Sequence, residues 1–285
     1  MKNYFTIIKP GIIIGNLLSL VSTFLLYSHG HVNFYKLSYT LISVSLIIAA
    51  NCILNNIIDI KIDKKMQRTC HRTLPTNKMT VKQAYYYAFV LGIIGFLCLY
   101  NFINLYTCLL CFMATFIYTV IYSIYVKRSS PYAVFVGSIS GAIIPLISKA
   151  AISNKLNFCS FLLFLIFAIW QIPHSYAIFL YRSKDYQKIK LPVCRLINNL
   201  FVIKSIIVAG IIFFVCVTSI FFVHNYLSIN DLMIFYVIEL VWLLYSIYGY
   251  KVINHTQWAY NIFILSLIVV IIFDLMISIK YKTYY

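Results

Sequence analysis

Apolar residues fall into nine long blocks along this chain, at roughly 11–28, 38–58, 84–103, 105–126, 131–151, 158–181, 201–223, 229–250 and 258–279. A helix needs about 20 mostly apolar residues to cross a bilayer, and each block is long enough. The pattern predicts an all-α, polytopic membrane helix bundle of about nine spans. The edges of the fourth and fifth blocks are the least sharply drawn, and the fifth holds Pro145 and many small residues. Short polar segments separate most blocks. Two connections are longer and basic, about 59–83 and 182–200, and they stand four spans apart on the same side. That spacing suggests two related halves of four helices plus one more, within a single membrane domain over 1–285.

Composition agrees. Hydrophobic residues make up 62% and charged residues 10% of the chain, with mean hydropathy +0.90. Soluble domains carry about 25% charged residues, so so few charges cannot cover a water-facing surface. The first block follows Lys2 and Lys9 as a signal peptide would, but no small-residue cleavage site follows it. Gly11 and Gly15 instead have the spacing of a close helix–helix contact.

The net charge of +17 is placed by topology. With the N-terminus in the cytoplasm, all but Lys36, Lys149, Lys155, Lys280 and Lys282 of the 23 Lys and Arg fall on the cytoplasmic side, as the positive-inside rule requires. This distribution argues against nucleic acid. Eight cysteines add little: Cys108 and Cys111 have CxxC spacing without a second pair or nearby histidines, so they read as small packing residues.

The six acids are more informative: Asp59, Asp63, Asp185, Asp231, Glu239 and Asp274. Three lie in or beside the two basic loops. Asn51, Asn55, Asp59 and Asp63 recur every four residues, which would align them on one face if the helix continued. Carboxylates at that depth are costly and repel one another; a divalent cation removes both problems. Mg²⁺ takes oxygen ligands, typically one or two carboxylates with phosphates and waters. The competing reading is a solvated helix end in which Lys61, Lys64 or Lys65 pairs the acids. Arg68 and Arg72 follow, suited to bidentate contact with phosphate oxygens. Lys127 and Arg128, at the end of the fourth block, could reach the same place. Asp185 stands where a second metal would be held. His174, beside Pro173 in the sixth block, is either a packed, hydrogen-bonded histidine or a ligand.

These segments resemble the UbiA-type intramembrane prenyltransferases, and among them the haem-farnesylating branch. The residues that carry the resemblance are Asn55, Asp59 and Asp63 (NxxxDxxxD); Arg68, Thr69, Arg72 and Leu74; and Tyr122, Ser123, Tyr125, Lys127 and Arg128. Trp170, Gln171, Pro173 and His174, then Lys184, Asp185, Tyr186, Pro192 and Val193, complete it, with Lys9-Pro10-Gly11 near the start. The chain departs from the pattern in having one acid, Asp185, in the second motif, and Ser175 where an aromatic residue is common.

The resemblance implies a Mg²⁺-dependent transfer of farnesyl from farnesyl diphosphate to haem b in the cell inner membrane, with haem-copper oxidase assembly downstream. It implies metal ligation by Asn55, Asp59, Asp63 and Asp185. It further implies charge neutralisation by Arg68, Arg72, Lys127 and Arg128, and substrate contacts from Tyr122, Gln171, His174 and Tyr186. The alternatives are a prenyltransferase with an aromatic acceptor, such as a quinone precursor, and a membrane transporter.

Overall fold

The computed structural model describes residues 2–189, 191–224, 226 and 228–279. Lys280 and Lys282, two of the cations expected on the far side, lie outside the described residues. Among the described residues, nine helices are long and apolar enough to cross a membrane. They are α1 (Pro10–Ser28), α2 (Phe34–Ile58), α3 (Val81–Phe102), α4 (Leu105–Ser129), α5 (Ala133–Ile152), α6 (Phe158–Tyr181), α7 (Leu200–Val223), α8 (Ile229–Lys251) and α9 (His255–Ile279). Each follows one expected block, with ends within about four residues of those read from hydropathy.

Local chemistry sets the starts. The side chains of Asn33 and Asn104 accept from the backbone N–H groups of Lys36 and Thr107. Thr80 with Gln83, Asn157 with Ser160, and Ser228 with Asp231 form reciprocal caps. Each satisfies N–H groups that the first turn leaves without a partner. Pro10 opens α1 after Lys9, whose φ of 54° is left-handed. A short helix, Lys2–Ile7, precedes it.

The helices close into a ring. α1 packs on α2, α5 and α9; α2 packs closely on α3, and α6 on α7 and α9. Gly95 permits the α2–α3 approach: a Cβ there would stand 2.9 Å from the Ser43 carbonyl oxygen. Gly210 of α7 sits against Pro173, where α6 lacks one backbone donor. Outward faces present large apolar side chains such as Tyr86, Phe112, Phe213 and Met233, all exposed as lipid-facing positions would be. Trp242, Phe214, Phe235 and Phe273 fill the interior between α7, α8 and α9.

Two helices depart from regular geometry. α5 is broken at Ile143, just before Pro145. From Ile117 to Val126, α4 is a π-helix, with Ser123 Oγ donating to the Tyr118 carbonyl five residues back. Wide turns of this kind cluster at functional sites. This one aims Tyr122, Ser123 and Lys127 at the end of α2. No periodicity in the sequence announces it.

Candidate active site at the α2 and α6 loop face

The expected polar stripe bends. α2 ends at Ile58, and Asp59 (φ −92°, ψ 6°) joins it to a single turn, Ile60–Asp63. The four-residue hydrogen bonds persist across the joint, from Asp59 N to Asn55 O at 2.9 Å and from Asp63 N to Asp59 O at 2.8 Å. The backbone thus stays nearly helical across the joint, while the side chains of the stripe part company. Asn51 leaves it and donates to Thr115 Oγ1 of α4 at 3.1 Å. Asn55 Nδ2 turns inward to Asp59 Oδ2 at 3.2 Å and Ser123 Oγ at 3.3 Å.

Both acids are buried and paired, though not with the lysines beside them in sequence. Lys127 Nζ donates to Asp59 Oδ2, and Arg128 Nη2 stands 3.7 Å from Asp59 Oδ1 while donating to the Ile58 carbonyl at 2.7 Å. Arg72 reaches both oxygens of Asp63 through Nη1, at 3.1 and 2.9 Å. Lys61, Lys64 and Lys65 take no part in these pairs, so the solvated-end reading gives way to pairing across α4 and the 59–83 loop. Thr69 holds the loop by donating to the Asp63 carbonyl at 3.1 Å.

The second long loop reaches the same place. It carries two short helices, Ser183–Gln187 and Cys194–Asn198. Asp185, nearly buried, accepts from the backbone N–H of Gln67 at 3.0 Å, which ties the α6 loop to the α2 loop. Burial pushes the Tyr186 hydroxyl up to about 12. Lys127 and Arg68 oppose that shift, and Tyr122 and Asp59 add to it, so Tyr186 lies within the field of all four. Asp59, Asp63 and Asp185 thus border one region but do not converge on one point. Among the described residues no three acid, histidine or cysteine side chains are placed to share a single metal ion.

The α4–α6 side is shaped by two glycines of α5. A Cβ on Gly137 would meet Tyr122 Cε2 at 3.0 Å, and one on Gly141 would meet Gln171 Nε2 at 2.4 Å. These glycines let both side chains lie flat on α5. His174 Nδ1 shares a hydrogen bond of 2.8 Å with Ser266 Oγ of α9, stacks on Trp170 and lies beside Phe263. Trp170 Nε1 donates to the Ser266 carbonyl at 2.7 Å. One ring nitrogen of His174 is thereby oriented and the other is left over.

Sequence reasoning missed Lys9 as a site residue. The sequence places it among the cytoplasmic charges and in the Lys9-Pro10-Gly11 segment of the resemblance, with no site role, yet its Nζ donates to Asn55 Oδ1 at 2.9 Å. Burial lowers the Lys9 ammonium to about 8, and Arg72 and Lys127 lower it further, against opposing contributions from Cys52 and Asp63. Its neighbour Pro10 was visible, but its 46-residue reach to Asn55 was not. Gly137 and Gly141 were missed for the same reason.

A membrane helix bundle whose buried acids and bases gather where two loops meet at one face has the make-up of an intramembrane transferase for diphosphate-bearing lipids. The chain belongs to the UbiA prenyltransferase family, whose pattern it matches over residues 16–268. It is 37% identical over 284 residues to the protoheme IX farnesyltransferase of Yersinia pseudotuberculosis serotype O:1b (strain IP 31758), covering 100% of this chain and 96% of that protein. The protoheme IX farnesyltransferase of Enterobacter sp. (strain 638) is 37% identical over 280 residues, covering 98% and 95%. Among solved structures, a digeranylgeranylglyceryl phosphate synthase superposes with TM-score 0.75 at 18% identity, covering 98% of each chain. A UbiA homologue from Archaeoglobus fulgidus bound to GPP and Mg²⁺ superposes with TM-score 0.64 at 14% identity, covering 97% and 99%. These structural likenesses establish the fold.

Proposed function

We propose that this chain is a protoheme IX farnesyltransferase that moves the farnesyl group of farnesyl diphosphate onto a vinyl group of haem b, with addition of water, giving haem O and diphosphate. Full-length similarity to enzymes of that name supports the acceptor. The observation that carries the chemistry is the pairing of the buried carboxylates of Asp59 and Asp63 with the half-buried Lys127 and Arg72, beside Asp185. Family membership speaks against the transporter alternative, and the relatives' names speak against an aromatic acceptor.

The oxygens present suit Mg²⁺. Asp59 Oδ1 is buried and accepts no hydrogen bond, while Asn55 Oδ1 and both Asp63 oxygens already accept from Lys9 and Arg72 and would share their second lone pairs with a cation. Such a cation usually takes one or two carboxylates and completes its shell with phosphates and water, so three converging acids are not needed. Asn55, Asp59 and Asp63 would hold it, with Asp185 facing them from the other loop. When bound, it supplies Lewis-acid neutralisation of the diphosphate. The A. fulgidus homologue was solved with GPP and Mg²⁺, in keeping with the use of a divalent cation.

The chain's own bases do the rest. Lys127, Arg128, Arg68 and Arg72 take phosphate oxygens, with Lys9 behind Asn55. Leaving-group charge then develops among cations already in place, which need little reorganisation. Tyr118 and Tyr122, stacked with ring centroids 5.8 Å apart, would offer aromatic faces to the allylic cation left on farnesyl C1; aromatic faces favour cations. The haem vinyl attacks C1, and water adds to the resulting carbocation and gives up one proton, which the released diphosphate can accept. His174, oriented by Ser266 and Trp170, positions the macrocycle or ligates its iron. The apolar bundle excludes competing water.

The chain acts as one multi-pass domain of the inner membrane, with its N-terminus and both Asp-bearing loops in the cytoplasm. Its product would serve haem-copper oxidase assembly. The direct test incubates membranes containing the chain with haem and farnesyl diphosphate, with and without Mg²⁺, and analyses the pigment by mass. Haem O should form only with Mg²⁺; unmodified haem in both samples would refute the assignment.

A further inference from the structure

A ladder of aromatic rings runs along the seam between α6 and α9. Arg182, where α6 enters the second long loop, lies over the Tyr181 ring, its guanidinium carbon 4.2 Å from the centroid. Tyr181 meets Tyr260 of α9 with ring centroids 4.9 Å apart, and Tyr260 meets Phe263 at 6.4 Å. Phe263 meets His174 at 5.1 Å, and His174 stacks on Trp170 at 4.7 Å. Helical spacing puts Trp170, His174 and Tyr181 on one stripe of α6, and Tyr260 and Phe263 on the facing stripe of α9. The rings are not sealed in the core: Tyr260 is exposed, and Trp170, His174, Tyr181 and Phe263 are half-buried.

An aromatic belt at a membrane boundary occupies one level. This ladder instead runs inward. His174 stands eight residues before Arg182, about 12 Å along a helix of 1.5 Å rise per residue, and Trp170 is a further turn in. The positive-inside rule accounts for an arginine at this level, but not for the rings beneath it. Among the described residues Arg182 pairs with no acid and its side chain donates no hydrogen bond. Tyr181, Arg182 and Tyr260 also take no part in the pairs around Asp59 and Asp63. Flat apolar faces, a histidine oriented through one ring nitrogen and an unpaired cation at the loop end together suit a flat ligand with carboxylates along one edge.

We propose that the α6–α9 ladder seats the acceptor porphyrin with its propionate edge toward the loops, Arg182 holding a propionate and Tyr181, Tyr260 and Phe263 supporting the ring face. The proposal rests on the haem reading above and adds the residues that select a porphyrin with free propionates. Depth supports it. A haem carries its vinyl groups on the edge away from its propionates. His174 and Trp170 lie eight and twelve residues in from Arg182, and Tyr122 and Tyr118 lie seven and eleven in from Ser129 at the end of α4. A macrocycle held at Arg182 therefore brings its vinyl edge to the level of the two tyrosines offered to the allylic cation.

The test titrates the full chain in detergent with haem b and with its dimethyl ester, in which both propionate charges are capped, and reads the Soret band. Haem should bind at least tenfold more tightly than the ester. Arg182→Gln should erase that preference by weakening haem and leaving the ester unchanged, and Arg182→Lys should keep most of it. Tyr260→Ala should weaken both porphyrins alike, several-fold, and Tyr260→Phe neither. Pyrophosphate binding with Mg²⁺, retained in each variant, reports an intact fold. If the unaltered chain binds haem and forms haem O while Arg182→Gln keeps its preference for haem over the ester, this seat is overturned and the farnesyl-transfer reading stands. Indifference of both porphyrins to Tyr260→Ala would overturn the seat as well. A chain that binds neither porphyrin would overturn both readings.

Discussion

At the scale of single residues, the site is built from acids that depend on distant bases. Removing one partner of a buried ion pair leaves an uncompensated charge and costs about 3–5 kcal/mol. Lys127→Ala should therefore lower turnover by at least a hundredfold, because Asp59 keeps only the more distant Arg128 and diphosphate loses a cation; haem O yield per inserted protein measures it. Asp59→Ala or Asp63→Ala should abolish transfer while the protein still inserts. Retained activity in either one would remove the metal assignment. His174→Ala should raise the KM for haem several-fold and leave the KM for farnesyl diphosphate nearly unchanged. Equal change in both would make His174 a packing residue.

At the scale of elements, close contacts position the chemistry. Gly141→Ala would set a methyl carbon 2.4 Å from Gln171 Nε2. Overpacking costs about 1–3 kcal/mol, and here the Gln171 amide, at the end of a flexible side chain, must swing away from its place against α5. We expect a drop in haem turnover with pyrophosphate binding retained. Ring closure has its own polar fastener: Ser19 Oγ of α1 donates to Asp274 Oδ2 of α9 at 2.8 Å, deep in the bundle. Asp274→Asn keeps an acceptor and should be tolerated. Asp274→Ala leaves Ser19 without that partner and should lower the unfolding midpoint in detergent, in line with about 1–3 kcal/mol for an unsatisfied buried group.

At the scale of the whole molecule, the proposed orientation rests on charge asymmetry and the meeting of the two loops on helix count. Four spans separate the two long loops, an even number, so both emerge on one face, and the Asp185–Gln67 contact joins them. A cysteine at position 65 of a chain without its native cysteines should react with a membrane-impermeant thiol reagent from the cytoplasmic side only, and one at position 36 only from the opposite side. The reverse pattern would invert the topology proposed for both loops.

The nine apolar blocks, the charge asymmetry between alternate loops, and the choice of Asp59, Asp63, Arg72 and Asp185 as site candidates were legible in the sequence. Hydropathy over about 20 residues and spacing within one turn are local properties, and membrane solvent leaves few other solutions for apolar segments. Tertiary structure decided the partners. That Lys127 rather than Lys61 neutralises Asp59, that Lys9 touches Asn55, and that Asp185 caps Gln67 depend on the π-turn of α4, the left-handed turn at Lys9 and the meeting of two loops. Such contacts join residues dozens of positions apart, and no periodicity records which helix will stand beside which.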